Sequence, residues 1–370
     1  MDTLSPRRPD PPAADAPSAS RRARDPRSWT LAVLAALLLA AVLANLAIGA
    51  VHIAPSEIAT ILLDAAGVPS AEEVDARQRA VLLAIRAPRV VLGALVGAAL
   101  AIAGAAVQGL FRNPLADPGL IGVSSGAALA AVATIVVGGA FGALQGALGV
   151  WLLPAAAFAG GLVVTLFVYA ISTRDGRTDV ATMLLAGVAI NAVAGAGTGL
   201  FVFVADDAQL RDITFWSLGS LGGATWATLA AAGPLMLVAT LALPRLAGGL
   251  NAFLLGETEA GHLGVPTEVV KLATVFLAAA AVGAAVSVSG IIGFVGLVVP
   301  HLVRLSIGPD HRVLLAASAL LGATLLLLAD LFARTVVVPA ELPIGIVTSL
   351  VGGPFFLWLL LRGRRAGGFG

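Results

Sequence analysis

Long apolar runs separated by short polar breaks are the dominant pattern of this chain. A helix needs about 20 apolar residues to cross a hydrocarbon core of roughly 30 Å. Runs of that kind cover residues 30–50, 90–110, 120–139, 150–171, 180–204, 227–243, 272–288, 313–334 and 343–361. A shorter tenth run, 293–305, ends at Ile307-Gly308-Pro309-Asp310-His311, and its length alone admits a buried re-entrant piece as well as a span. The most elaborate break is Asn113-Pro114-Leu115-Ala116-Asp117-Pro118-Gly119, between the second and third runs. It closes one end of an apolar hairpin whose other end carries Arg86 and Arg89 around Pro88.

The positions of the cations choose a topology. With ten spans and a cytoplasmic N-terminus, sixteen of the 22 lysines and arginines fall inside, and Arg77, Arg79, Arg86, Arg89, Arg211 and Arg334 fall outside. That is the expected positive-inside bias. Nine spans would put the tail with Arg362, Arg364 and Arg365 outside, against the same rule. The expectation is therefore an all-α polytopic membrane protein with ten transmembrane helices and both termini cytoplasmic. Residues 1–27 read as a disordered basic tail, 28–362 as the membrane domain and 363–370 as a second tail. A signal peptide is the alternative for the first run, but no small-residue cleavage site followed by a polar mature domain is present. Residues 51–85 form an outer surface segment with room for one or two helices, and residues 244–270 form a long inner connection.

Composition agrees and narrows the chemistry. Hydrophobic residues make up 59% of the chain and charged residues 12%, about half the charged share of a soluble domain, and the mean hydropathy is +0.98. Without cysteine there is no disulfide, thiolate metal site or cysteine nucleophile. The single lysine, Lys271, sits in a stretch without glycine, so the chain has no phosphate-cradling Walker A loop and is not its own ATPase of that type. His52, His262, His301 and His311 form no paired spacing that would suggest a haem or metal site. Asp330 is the main acid within a span. It lies four residues before Arg334, which suits a helical ion pair, with proton coupling as the competing reading. An ion-coupled secondary transporter is thus the alternative to a passive conduit, and no constellation for an enzyme is present. The fifth run is dense in Gly and Ala, which fits close helix packing or the lining of a pathway.

Several ordered motifs resemble the FecCD family of permeases, the membrane subunits of type II ABC importers for vitamin B12, iron–siderophore complexes and haem. They are Arg86-Ala-Pro-Arg89, the run from Gln108 to Gly122, Leu184-Leu-Ala-Gly-Val188, Trp216-Ser-Leu-Gly-Ser-Leu221, Leu255-Gly-Glu257 with Leu263-Gly264, the run from Gly293 to His301, and Glu341-Leu-Pro-Ile-Gly345. The likeness extends over about residues 28–362. The run from Phe111 to Gly126 and that from Thr214 to Trp226 look most like the haem-importing branch.

The resemblance implies the type II ABC importer permease fold in a homodimer with the substrate path on its axis. It implies two cytoplasmic ATPase subunits that use ATP and Mg2+, a periplasmic binding protein, location in the bacterial inner membrane, and no cofactor or metal bound by this chain. Nucleic acid is not an expected partner; lipid is. By the same resemblance, Asn113, Pro114 and Leu115 together with Val180 and Ala181 form the cytoplasmic gate. Leu255, Gly256, Glu257, Ala260, Leu263 and Gly264, within coupling helices at about 250–266, dock into the ATPase. Arg86, Arg89 and Arg334 meet acidic residues of the binding protein, with headgroup anchoring as the competing role for outer arginines. Gly187, Asn191 and Gly195 are the expected pathway-lining residues.

Overall fold

The computed structural model describes residues 26–68, 74–138, 146 and 148–365. Each of the ten expected runs overlaps one of the helices. Seven helices among the described residues are long and apolar enough to cross a membrane, and three shorter apolar ones cover Val123–Val137, Val295–Ile307 and Ile344–Leu359. Of the expected tails 1–27 and 363–370, residues 1–25 and 366–370 lie outside the described residues, while 26–27 and 363–365 belong to the flanking helices.

The centre of the bundle is α4 (Ala87–Leu110), in which every residue from Ala99 to Leu110 is buried. Around it stand α9 (Trp226–Ala242), α12 (Thr267–Ser289), α13 (Val295–Ile307) and α14 (His311–Thr335), while α1 (Pro26–Ala47) packs chiefly on α14 and also touches α4. A second group consists of α5 (Val123–Val137), α6 (Leu152–Ser172) and α7 (Val180–Val204), and α8 (Asp207–Leu218) packs against α5. The last long helix, α15 (Ile344–Arg365), leans on α13 and α14.

Apolar surface gives little drive for helices to associate in lipid, so close approach of small residues and dispersion contacts must do more of the work. The contacts of α4 have that form. A Cβ on Gly104 would lie 1.8 Å from the carbonyl oxygen of Gly296 in α13, and one on Gly97 would lie 2.4 Å from that of Gly322 in α14. Gly126 of α5 meets Gly160 of α6 in the same way. Conversely, α7 leaves Leu185, Leu200 and Phe203 largely exposed, Phe203 by 87%. Such a face is stable only against lipid or another apolar surface.

Two features differ from the sequence reading. The outer segment does contain α2 (Pro55–Ala65), but the second span starts early: α3 (Ala76–Ala80) runs through a π-helical turn, Val81–Arg86, straight into α4. Within it the Ala87 amide donates to the Leu82 carbonyl, five residues back. A π turn relieves the clash that Pro88 would otherwise have with the preceding turn, so the proline is accommodated inside the helix. The third run is shorter than its apolar stretch, because Pro118–Ile121 forms a 3-10 turn and Gly122, at φ 83°, separates it from α5.

Gly104→Val should destabilise the protein by about 1–3 kcal/mol through overpacking, read as the unfolding midpoint in detergent. Gly195→Ala, whose new methyl group meets open space, should leave that midpoint in place. Equal midpoints for both would contradict the role given to backbone contact.

Candidate functional site

The polar residues collect at the two ends of the bundle. At one end, the lysine end, lie the C-terminus of α4, the turn 111–117 and the N-termini of α7, α12 and α14. The connection after α9 is here too. A 3-10 turn leads into α10 (Ala247–Phe253) and then the short α11 (Glu257–His262). In this connection Ala260 and Gly256 are buried while Leu255 and Leu263 are 67% and 65% exposed. The small residues seat the loop on the bundle and the leucines face outward with Glu257 and Glu259. Such a loop offers a partner an apolar pair within an acidic rim. Gly264 follows at φ 80°, where an added Cβ would meet open space.

Lys271 is the node of this end. Its side chain is 1% exposed, and its ammonium donates to the Thr178 carbonyl at 2.7 Å, to Glu268 Oε1 at 3.0 Å and to Glu257 Oε1. Glu268 Oε2 in turn accepts from the Thr178 amide at 3.0 Å. Thr178 belongs to a two-stranded hairpin, Thr173–Arg174 with Arg177–Thr178, that joins α6 to α7. A second knot ties α10 to α14, where Asn251 Oδ1 accepts from the His311 amide at 2.8 Å and lies 2.9 Å from His311 Nδ1.

The two parts of the expected gate are both at the lysine end. Asn113 Oδ1 accepts from the Leu115 amide at 2.9 Å, an Asx turn that exposes Pro114 and Leu115. The Asn113 amide donates to the Gln108 carbonyl and closes α4. Arg112 of this turn stands beside Gly256 at the start of α11. Val180 and Ala181 open α7, where Asp179 caps the Thr182 amide at 3.0 Å. The Thr182 hydroxyl and amide hold the exposed Asp179 carboxyl below the usual range. Burial pushes the Asp117 carboxyl up, and the Gly119 amide opposes this.

Of the expected pathway residues, Gly187 is buried against the Leu120 carbonyl, where it allows α7 to pack on the 3-10 turn. Asn191 reaches the same turn: its amide donates to the Gly119 carbonyl at 3.1 Å and its oxygen accepts from the Ser125 hydroxyl at 2.5 Å. Gly195 faces open space.

At the opposite, arginine end the expected docking residues Arg86, Arg89 and Arg334 each have partners within the chain. Arg86 is 4% exposed and donates to the Leu46, Ala47 and Val51 carbonyls, closing the C-terminal end of α1. Arg89 holds Asp330 through Nε at 3.0 Å and Nη2 at 2.8 Å, and Glu341 through both Nη atoms at 2.9 Å. Arg334 donates to the Asn45 carbonyl at 2.7 Å and stands 3.9 Å from Asp330. The physical reason is burial. A guanidinium near the apolar core is costly unless its donors are matched, and each of these arginines meets helix ends or acids of its own chain, with Arg334 Nε left without a hydrogen bond. The exposed cations at this end are Arg77, Arg79 and Arg211, which the sequence reading placed outside without a role.

Asp330 is almost fully buried and Arg89 is its main partner. Arg89→Ala should therefore cost about 3–5 kcal/mol, the range for an orphaned buried charge, and a second change Asp330→Leu should restore part of it. Unfolding midpoints in detergent for the two single variants and the double give the coupling. Additive losses would contradict the pairing.

The FecCD transport family matches residues 37–362. The chain is 51% identical over 283 residues to the hemin transport system permease protein HmuU of Yersinia pestis, covering 76% of this chain and 84% of that one. It is 46% identical over 294 residues to the cobalamin import system permease protein BtuC of Halobacterium salinarum, covering 80% and 75%. A solved structure described as an inward-facing conformation of a metal-chelate type ABC transporter superposes with a TM-score of 0.78 at 31% identity, over 90% of this chain and 99% of that one. This multi-pass membrane protein belongs to the FecCD transport family of ABC importer permeases.

Proposed function

We propose that two copies of this chain form a gated conduit that carries haem across the inner membrane of a bacterium into the cytoplasm by alternating access. The lysine end faces the cytoplasm and the arginine end the periplasm, as the cation bias favours. Two separate ATPase subunits, which hold ATP and Mg2+, dock on the connection from Leu255 to Gly264. Their nucleotide states contact it differently, and that difference shifts the equilibrium between outward- and inward-facing forms. A periplasmic binding protein delivers the ligand to the arginine end. Lipid surrounds the remaining apolar faces, and the chain binds no cofactor or metal of its own.

The observation that carries this reading is the exposed pair Leu255 and Leu263 on a loop whose small residues are packed into the bundle. A leucine pair so displayed on a charged loop, clear of the apolar helix faces, needs a protein partner. Haem is favoured by the likeness to the hemin permease and by a bundle rich in Ala, Gly, Val and Leu, which suits a flat apolar macrocycle and gives it no tight site. The same machinery importing vitamin B12 or an iron–siderophore complex is the second reading, favoured by the likeness to the cobalamin permease.

The test is uptake into vesicles that contain the chain with its ATPase and binding protein. Hemin should accumulate only with ATP, and cyanocobalamin should not. Preferential cyanocobalamin uptake would move the substrate to the second reading. Uptake that ignores ATP and follows a proton gradient, and that Asp330→Asn abolishes, would make the chain a secondary transporter.

A further inference from the structure

The chain contains one lysine, and it is buried where three elements meet. An ammonium has three N–H donors. Those of Lys271 go to Glu257 at the first residue of α11, to Glu268 on its own helix and to the carbonyl of Thr178. Thr178 is two residues before Val180, where α7 begins. Glu268 binds the same peptide from the other side through the Thr178 amide. The Thr178 hydroxyl is held as well, by Tyr169 at 3.2 Å and Thr173 at 3.0 Å. The strand leading into α7 is thus fixed at both its N–H and its C=O, and the outermost arm of the clamp is a carboxylate on the exposed loop.

We propose that Lys271 is a positioning residue that makes α11 and the start of α7 move as one body, so that displacement of α11 from outside is delivered to Val180 and Ala181. The physical ground is the cost of separation. Drawing Glu257 away would leave a buried ammonium short of an acceptor, so following the displaced carboxylate is cheaper than releasing it. Glu257 is the suitable arm because its side chain is half-exposed and the others are anchored in the bundle. The inference rests on the reading of α11 as the ATPase-docking segment.

The test uses the full chain assembled with its ATPase and binding protein in vesicles, with hemin as the probe, and reads hemin imported per ATP hydrolysed. Lys271→Met keeps the aliphatic stem and removes the clamp. It should lower the ratio by about tenfold, within the usual span of coupling between sites, while the assembled complex continues to hydrolyse ATP. A loss of uptake and hydrolysis in equal proportion, with the ratio kept, would mean that Lys271 only stabilises the fold and would overturn the proposal. If Lys271→Met does not assemble, Glu257→Gln removes the charge of the exposed arm alone. A lowered ratio then supports the clamp, and an unchanged ratio overturns it. Absence of ATP-driven hemin uptake in the unaltered complex would instead count against the proposed function, and this inference would fall with it.

Discussion

Between α4 and its neighbours α13 and α14 the backbones approach without side chains between them, because Gly104 lies on the carbonyl of Gly296 and Gly97 on that of Gly322. Apolar side chains gain little by leaving lipid for protein, so cohesion depends on how closely helices approach. Glycine allows that approach, and the helix that carries these glycines is the one on which the rest converge. With α4 fixed, its two ends are fixed as well. One presents the turn at Asn113 beside α11, and the other presents Arg86 and Arg89 to the ends of α1 and α14.

At those ends Arg89, Asp330 and Lys271 find charged partners inside the subunit. The arginine end is a closed network of three guanidinium groups, Asp330, Glu341 and the carbonyls that end α1. Such a network resists deformation, since moving one member strands another. The lysine end is built differently. Its node has a half-exposed arm, and its loop carries unpartnered leucines. A rigid rim at one end and an accessible, clamped loop at the other suit a conduit that is worked from the lysine side.

Much of the architecture can be read along the chain, since apolar runs of spanning length leave few choices once the cations assign the two sides. The hairpin turn was also visible, because Asn113, Pro114, Asp117 and Gly119 each break a helix for a stated reason. What sequence reasoning missed is long-range or depends on backbone detail. The early start of the second span was hidden because Arg77, Arg79 and Arg86 look like loop residues until a π turn carries the helix past Pro88. The partners of Asp330 show the limit best. Spacing alone selects Arg334 four residues away, whereas the tighter partner, Arg89, is 241 residues distant. In the sequence Lys271 counted as one inside cation and as a lysine outside any Walker loop, because the peptide that it holds lies 93 residues earlier.

The central claim is that the segment starting at Val180 is moved from outside by a nucleotide-driven partner. The absence of cysteine makes a direct measurement simple: Ala181→Cys, spin-labelled, in the proposed dimer, with the distance between the two labels followed by pulsed electron resonance. With the ATPase bound, that distance should change between the nucleotide-free and ATP-bound states, and the permease alone should show no response to ATP. A distance that stays fixed through the ATPase cycle, or that changes with a proton gradient in the permease alone, would contradict the account.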